Sequence, residues 1–131
     1  DKDGALASNF ELFLRLMGEE QYEGLLFGEI STVTQINRYP EALETLLSRT
    51  DLHPRLVNGS DWPLPAINVL YSTKSLEKNG FITTAERAAL NEIYDHNPLL
   101  FDLALKRLVR SPETGATFAA SVFEMREGLG F

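Results

Sequence analysis

Cysteine is absent from this 131-residue chain, tryptophan occurs once, histidine and methionine occur twice each, and 12 basic side chains face 19 acidic ones. Without cysteine there is no disulfide, no thiolate nucleophile and no thiolate metal site, while the compartment stays only weakly constrained. A formal charge of −7, a pI near 4.8 and the lack of any Lys/Arg cluster remove the electrostatic footprint of a nucleic-acid binder or of a protein drawn to anionic lipid. No stretch reaches the ~18 to 20 consecutive apolar residues of a membrane span, and the N-terminal residues lack the basic-then-apolar order of a signal peptide. These absences predict a cytoplasmic protein whose partners include neither nucleic acid nor membrane. An apolar fraction of 44% supplies a core and argues against disorder, and the length fits one domain, residues 1–131. The chain starts at Asp1, and its first methionine, Met17, lies inside a patterned segment. We therefore expect a piece of a longer precursor.

The pattern along the chain alternates two periods. Ser8 and Glu11 have the spacing of a capping box, Ala7 and Leu12 that of a hydrophobic staple, and Phe10, Phe13, Leu14 and Met17 recur at helical spacing. Leu12 and Leu16 add a second apolar ridge, so the helix is expected to be buried on more than one side, and Gly18 is placed to end it. Gly24 to Thr32 is a short apolar run bounded by turn residues and carrying the single carboxylate of Glu29, the pattern of an interior strand with one polar end. Pro40 opens a helix to about Ser48 with Leu43, Leu46 and Leu47 inside; Arg55 to Gly59 is a second strand signal, stopped by Pro63 and Pro65. A second capping box, Thr83 with Glu86, opens a helix bearing Leu90, Ile93 and Tyr94. Asn97 and Pro98 start another that runs to about Arg110, with Asp102 and Lys106 as an i, i+4 pair. The tail from Ala116 to Phe131 reads as a strand or an extended arm. Strands alternating with helices predict an α/β fold with parallel strands joined by crossover helices, although two strands make only a partial sheet.

Leu56-Val57-Asn58-Gly59-Ser60-Asp61-Trp62-Pro63 is a hydrophobic strand that ends near a carboxylate and breaks into a rigid loop, the way α/β barrels present catalytic groups. The stretch resembles the eighth-strand region of metal-dependent hydrolases of the amidohydrolase superfamily. Leu26 to Ser31 resembles their seventh strand and Tyr94 to Asp102 their closing helix. The resemblance implies a C-terminal fragment of a (β/α)8 barrel, with two parallel strands and a mostly helical remainder. It also implies that Asp61 binds a divalent metal, zinc by preference, or accepts a proton from the attacking water, and that the substrate is a small molecule. The family's His ligands have no counterpart here: no His-x-His pair is present, so the fragment alone is expected to hold no metal and to be inactive. Relatives on this scaffold include decarboxylases as well as hydrolases.

Each candidate also has a plainer account. Asn-Gly and an Asp close to proline are common turn formers, which makes Asp61 equally a turn residue on local sequence. Glu29 either meets substrate or pairs with Arg38, and the ion pair is the favoured expectation; Gln35, Asn37 and Arg38 share a loop suited to hydrogen-bonding a carboxylate-bearing substrate. Trp62 either walls a pocket or packs. His53 reads as a surface loop residue, up to ~26 Å from Asp61 in extended chain, and His96 as a ligand of backbone at a helix junction. The competing function is a small, mainly helical interaction domain without catalysis. A partial sheet leaves apolar faces and open edges, so self-association is expected.

Overall fold

A computed structural model describes residues 8–124. The chain is mixed α/β and mostly helical. Among the described residues α1 is Asn9–Met17, β1 Gly28–Glu29, α2 Glu41–Ser48, β2 Leu56–Val57, α3 Thr73–Lys78, α4 Thr84–His96 and α5 Pro98–Leu108, with single 3₁₀ turns between them. The two strands are parallel, with Gly28 opposite Leu56 and Glu29 opposite Val57. Parallel neighbours cannot be joined by a tight turn. Here α2 makes the crossover and buries Leu43, Leu46 and Leu47, the three residues its spacing predicts.

Both strands are shorter than the apolar runs that announce them. Leu25 and Leu26 donate back to the Tyr22 carbonyl, and Val33 donates to Ile30, so the run from Gly24 to Thr32 is turned at each end. Only the residues that β2 can reach are laddered, with Ile30 N–H adding one more bond to the Val57 carbonyl at 3.0 Å. Beyond β2, Asn58 N–H meets the carbonyl of Val122 at 2.8 Å, so the segment after α5 returns to flank this strand. The tail contains an antiparallel bridge between Arg110 and Thr117 and a 3₁₀ turn, Ala120–Phe123. The part of the expected arm from residue 125 lies outside the described residues, as does Ala7 of the expected staple.

Helix ends follow local chemistry closely. Ser8 and Thr83 each complete a reciprocal capping box with Glu11 and Glu86, while Asn97 Oδ1 accepts from Leu99 and Leu100 N–H ahead of α5. The last turn of α1 is tied down by Arg55, whose guanidinium donates to the carbonyls of Met17 (2.6 Å), Tyr22 (3.2 Å) and Leu26 (3.1 Å). One side chain thus fixes α1 and the approach to β1 against the foot of β2. Only Met17 of α1 is fully buried, and Leu16 is exposed, so the helix lies on the surface of the core rather than inside it.

The core runs from Leu56 through Leu76 and Phe81 to Leu90, Phe101, Leu105 and Val109. Phe101 is wedged between Tyr94 and Tyr71, both edge-on, with centroids at 5.0 and 5.8 Å. His53 corrects the expectation of a surface position. It is 2% exposed, its Nε2 lies 2.8 Å from the Leu46 carbonyl and its Nδ1 accepts from Ala119 N–H at 3.2 Å, stitching α2 to the tail. His96 is exposed and bonds the Glu92 carbonyl, as a helix-end histidine should. No helix among the described residues is long and apolar enough to cross a membrane.

Candidate functional site at the strand ends

The chain leaves both strands at the same end of the sheet, and the polar groups of interest gather there. Glu29 closes β1 and turns its carboxylate onto the Ser31 hydroxyl. After β2, the segment Asn58-Gly59-Ser60-Asp61 crosses above it so closely that a Cβ on Gly59 would fall inside the Glu29 carboxylate and 2.6 Å from Ser31 Oγ. Position 59 therefore admits only glycine without displacing Glu29. That is a close-approach requirement, distinct from the turn propensity by which Asn-Gly draws attention in the sequence.

Asp61 sits at φ 54°, in the left-handed region, and its carbonyl accepts from Leu64 N–H at 2.9 Å. The backbone of Asp61 makes a turn, as local propensity predicts, but its exposed carboxylate hydrogen-bonds to none of the described residues and is free to take an outside partner. The charges of both Glu29 and Asp61 are felt by Lys106 from below. Lys106 is fully buried, and its ammonium donates to the Gly59 carbonyl at 2.6 Å and to Asp102 Oδ2 at 2.7 Å. Burial pushes Lys106 down and Asp102 up, and each partner's charge opposes the shift of the other. The i, i+4 pair that the helical spacing predicts is thus an internal ion pair beneath the loop.

Among the described residues several buried polar atoms around this rim have no hydrogen-bond partner: Thr34 Oγ1, Asn58 Oδ1 and Asp102 Oδ1. Tyr71 is brought next to the 34–36 loop by the bond from Ile36 N–H to the Leu70 carbonyl at 2.9 Å. Burial pushes its phenol up to about 12; the charges of Asp102 and Asp61 act in the same direction, and Gln35 beside it acts against them. The phenol stays protonated, and so a donor, throughout the neutral range. A cleft of about 480 Å³ opens between Asn58, Gly59 and Ser60 on one side and Asn97, Leu100 and Asp102 on the other.

The remaining sequence candidates divide. Glu29 and Arg38 share a second cleft of about 240 Å³ with Phe10, Phe13 and Thr32, but they form no ion pair, and the Glu29 carboxylate accepts from the Ser31 hydroxyl. The expected Glu29–Arg38 salt bridge is corrected accordingly. Asn37 and Trp62 are both exposed, Trp62 by 59%, so the indole does not pack as a loop aromatic usually does. Tyr71, Lys106 and Asp102 escaped the sequence reading. Lys106 and Asp102 carried only an ordinary helical spacing, and nothing local marks Tyr71.

Among the described residues no three His, Cys, Asp or Glu side chains converge, so they do not by themselves form a metal site, which takes about three protein ligands in catalytic zinc enzymes. What the rim offers is one free carboxylate, a second held by a hydroxyl, and a buried ammonium under the loop between them. No protein-family profile matches the chain, and no curated protein or solved structure matches it either.

Proposed function

We propose that the chain is the C-terminal part of an amidohydrolase-like barrel and that Asp61 is the strand-end carboxylate it contributes to hydrolysis of a small-molecule substrate. The observation that carries the reading is the β1–α2–β2 unit. Its two adjacent parallel strands end on the same side in Glu29 and in the loop that bears Asp61, the end at which α/β barrels carry their chemistry. In this reading Asp61 accepts the proton of the attacking water, since its carboxylate is exposed and unengaged, while Glu29, Arg38, Asn37 and Trp62 face the substrate. A divalent ion, zinc by the resemblance, would supply Lewis acidity. The histidines that hold it belong to strands outside these residues, and the chain alone takes up no stoichiometric zinc.

Reading the gene on the N-terminal side of Asp1 tests this directly. A His-x-His after a strand signal and two further strand-end histidines are expected, whereas a start codon immediately before Asp1 sinks the proposal. A second reading, a helical interaction domain without catalysis, draws support from the apolar side chains of Leu25, Trp62 and Val69, which are 78%, 59% and 76% exposed. The barrel-fragment reading entails self-association of the isolated chain, because a partial sheet leaves apolar faces and open edges. A light-scattering mass above that of one chain is expected, and a mass equal to one chain at high concentration would count against it.

A further inference from the structure

We infer that Lys106 is a positioning residue: its ammonium holds the Gly59 carbonyl so that the next turn of chain presents Asp61 in its left-handed conformation at the strand ends. The inference rests on the reading of Asp61 as the functional carboxylate, and it concerns how that carboxylate is aimed.

Three observations bear on it. Lys106 has no exposure at all, yet one of its two bonds reaches across 47 positions of sequence to backbone rather than to a second acid. Among the described residues Asp102 Oδ1 has no hydrogen-bond partner, so Lys106 is the group that Asp102 bonds, and the second bond of the ammonium goes to the loop. Glu29 and Ser31 lie where a Cβ on Gly59 would stand, so the residue whose carbonyl Lys106 holds also packs close against the end of β1. The Arg49–Asp51 ion pair beyond the end of α2, by contrast, leaves both groups about half exposed.

Two residues beyond Gly59, Asp61 holds φ 54°, a conformation that aspartate tolerates better than most L residues but still at a steric cost that glycine does not bear. The Leu64 N–H bond fixes the C-terminal side of Asp61. The Lys106 bond fixes the N-terminal side. The charged groups that face the ammonium are Asp102 from its own helix, Glu29 from the end of β1 and Asp61 itself, and all three favour its charged form against burial. Released from Lys106, the peptide after Gly59 is free to rotate, and Asp61 relaxes toward negative φ.

The test needs no metal and no substrate. In K106M/D102N, made as a pair so that no lone charge is left inside, NMR of the full chain should retain the Leu90 and Phe101 signals of an intact core. The Gly59 carbonyl resonance should move, and the Asp61 backbone couplings and carbon shifts should lose the left-handed signature. An intact core with an unchanged Asp61 overturns the inference and leaves the hydrolase proposal standing; failure of the gene-level test leaves the Lys106 grip standing. Should the pair not fold, the wild-type protein decides. A Lys106 ammonium protected from water exchange and coupled through its hydrogen bond to the Gly59 carbonyl supports the inference, and one exchanging as freely as an exposed lysine overturns it.

Discussion

The two ends of this molecule are built on opposite terms. In the α4–α5 hairpin each helix start is capped by a side chain, the facing residues Leu90, Phe101 and Leu105 are buried, and Arg110 returns to bond Glu86. At the strand ends a carboxylate stands free, a non-glycine residue sits at positive φ, a glycine occupies a place where a Cβ would strike Glu29, and buried polar atoms go unpartnered among the described residues. Strain and unpaired polarity of this kind are retained where they are used, and a fold optimised only for stability would have removed them. The comparison teaches that stability and candidate function draw on different features of the chain, with Lys106 joining the two: it is rooted in α5 and ends under the Asp61 loop.

The sharpest way to break that division is to cut the shared residue. Lys106→Met leaves the Asp102 carboxylate buried at 1% exposure without its cation, and should cost about 3–5 kcal/mol in urea unfolding. Phe101→Ala should cost a similar 3–5 kcal/mol by opening a cavity between Tyr71 and Tyr94. If Lys106→Met costs below about 1 kcal/mol, the pair behaves as a surface ion pair and the account of the interior fails.

A smaller effect isolates the rim. Gly59→Ala forces the Glu29 carboxylate off Ser31, since the new methyl occupies its place, and should destabilise by about 1–2 kcal/mol. Combined with Glu29→Ala the loss should shrink, because the obstructing group is gone. A double-mutant cycle with no coupling would show that the clash is absorbed elsewhere.

Much of the hairpin was legible in the sequence because its determinants are local: both capping boxes and the Asn97-Pro98 start lie within three or four residues of the groups they serve. The two parallel strands and their crossover were legible from periodicity, yet their lengths were not. Ladder length depends on what the partner strand reaches, and β2 is gone after Val57. The rim was read only in part. Asp61 and Glu29 stand out as carboxylates at the ends of apolar runs, whereas the burial of His53 depends on Leu46 and Ala119, and that of Lys106 on Gly59, contacts that no window of sequence contains. The Glu29–Arg38 pair was expected because a carboxylate in an apolar run needs a partner; the partner found is a serine two residues away.

Asp61→Gly runs against the usual direction of substitution. Glycine adopts φ 54° without the steric cost that aspartate bears, so the variant should be more stable than the parent by about 0.5–1 kcal/mol while removing the free carboxylate. A gain of that sign says that the chain holds Asp61 at a cost to stability, as a working residue would require. A loss says that the carboxylate itself supports the turn, which returns Asp61 to the plainer account.

The smallest effect belongs to the hairpin's surface. The Arg110 hydrogen bond, together with the Thr83 cap, holds the Glu86 carboxyl below its ordinary 4.5. A depressed folded-state value means that the stabilisation is complete above the unfolded value and is lost as pH falls through the folded one. Unfolding midpoints should therefore be flat from neutral pH down to about 5 and then decline, and Glu86→Gln should flatten the decline at a cost of at most ~1 kcal/mol at neutral pH, because both partners are partly solvated. Glu77, held down first by Thr84 and then by Arg87, contributes in the same direction. Neither residue touches the rim, so the Asp61 backbone signals should not move over this range. If they follow the Glu86 titration, the two ends are coupled through α5, and their separation is less complete than the static contacts indicate.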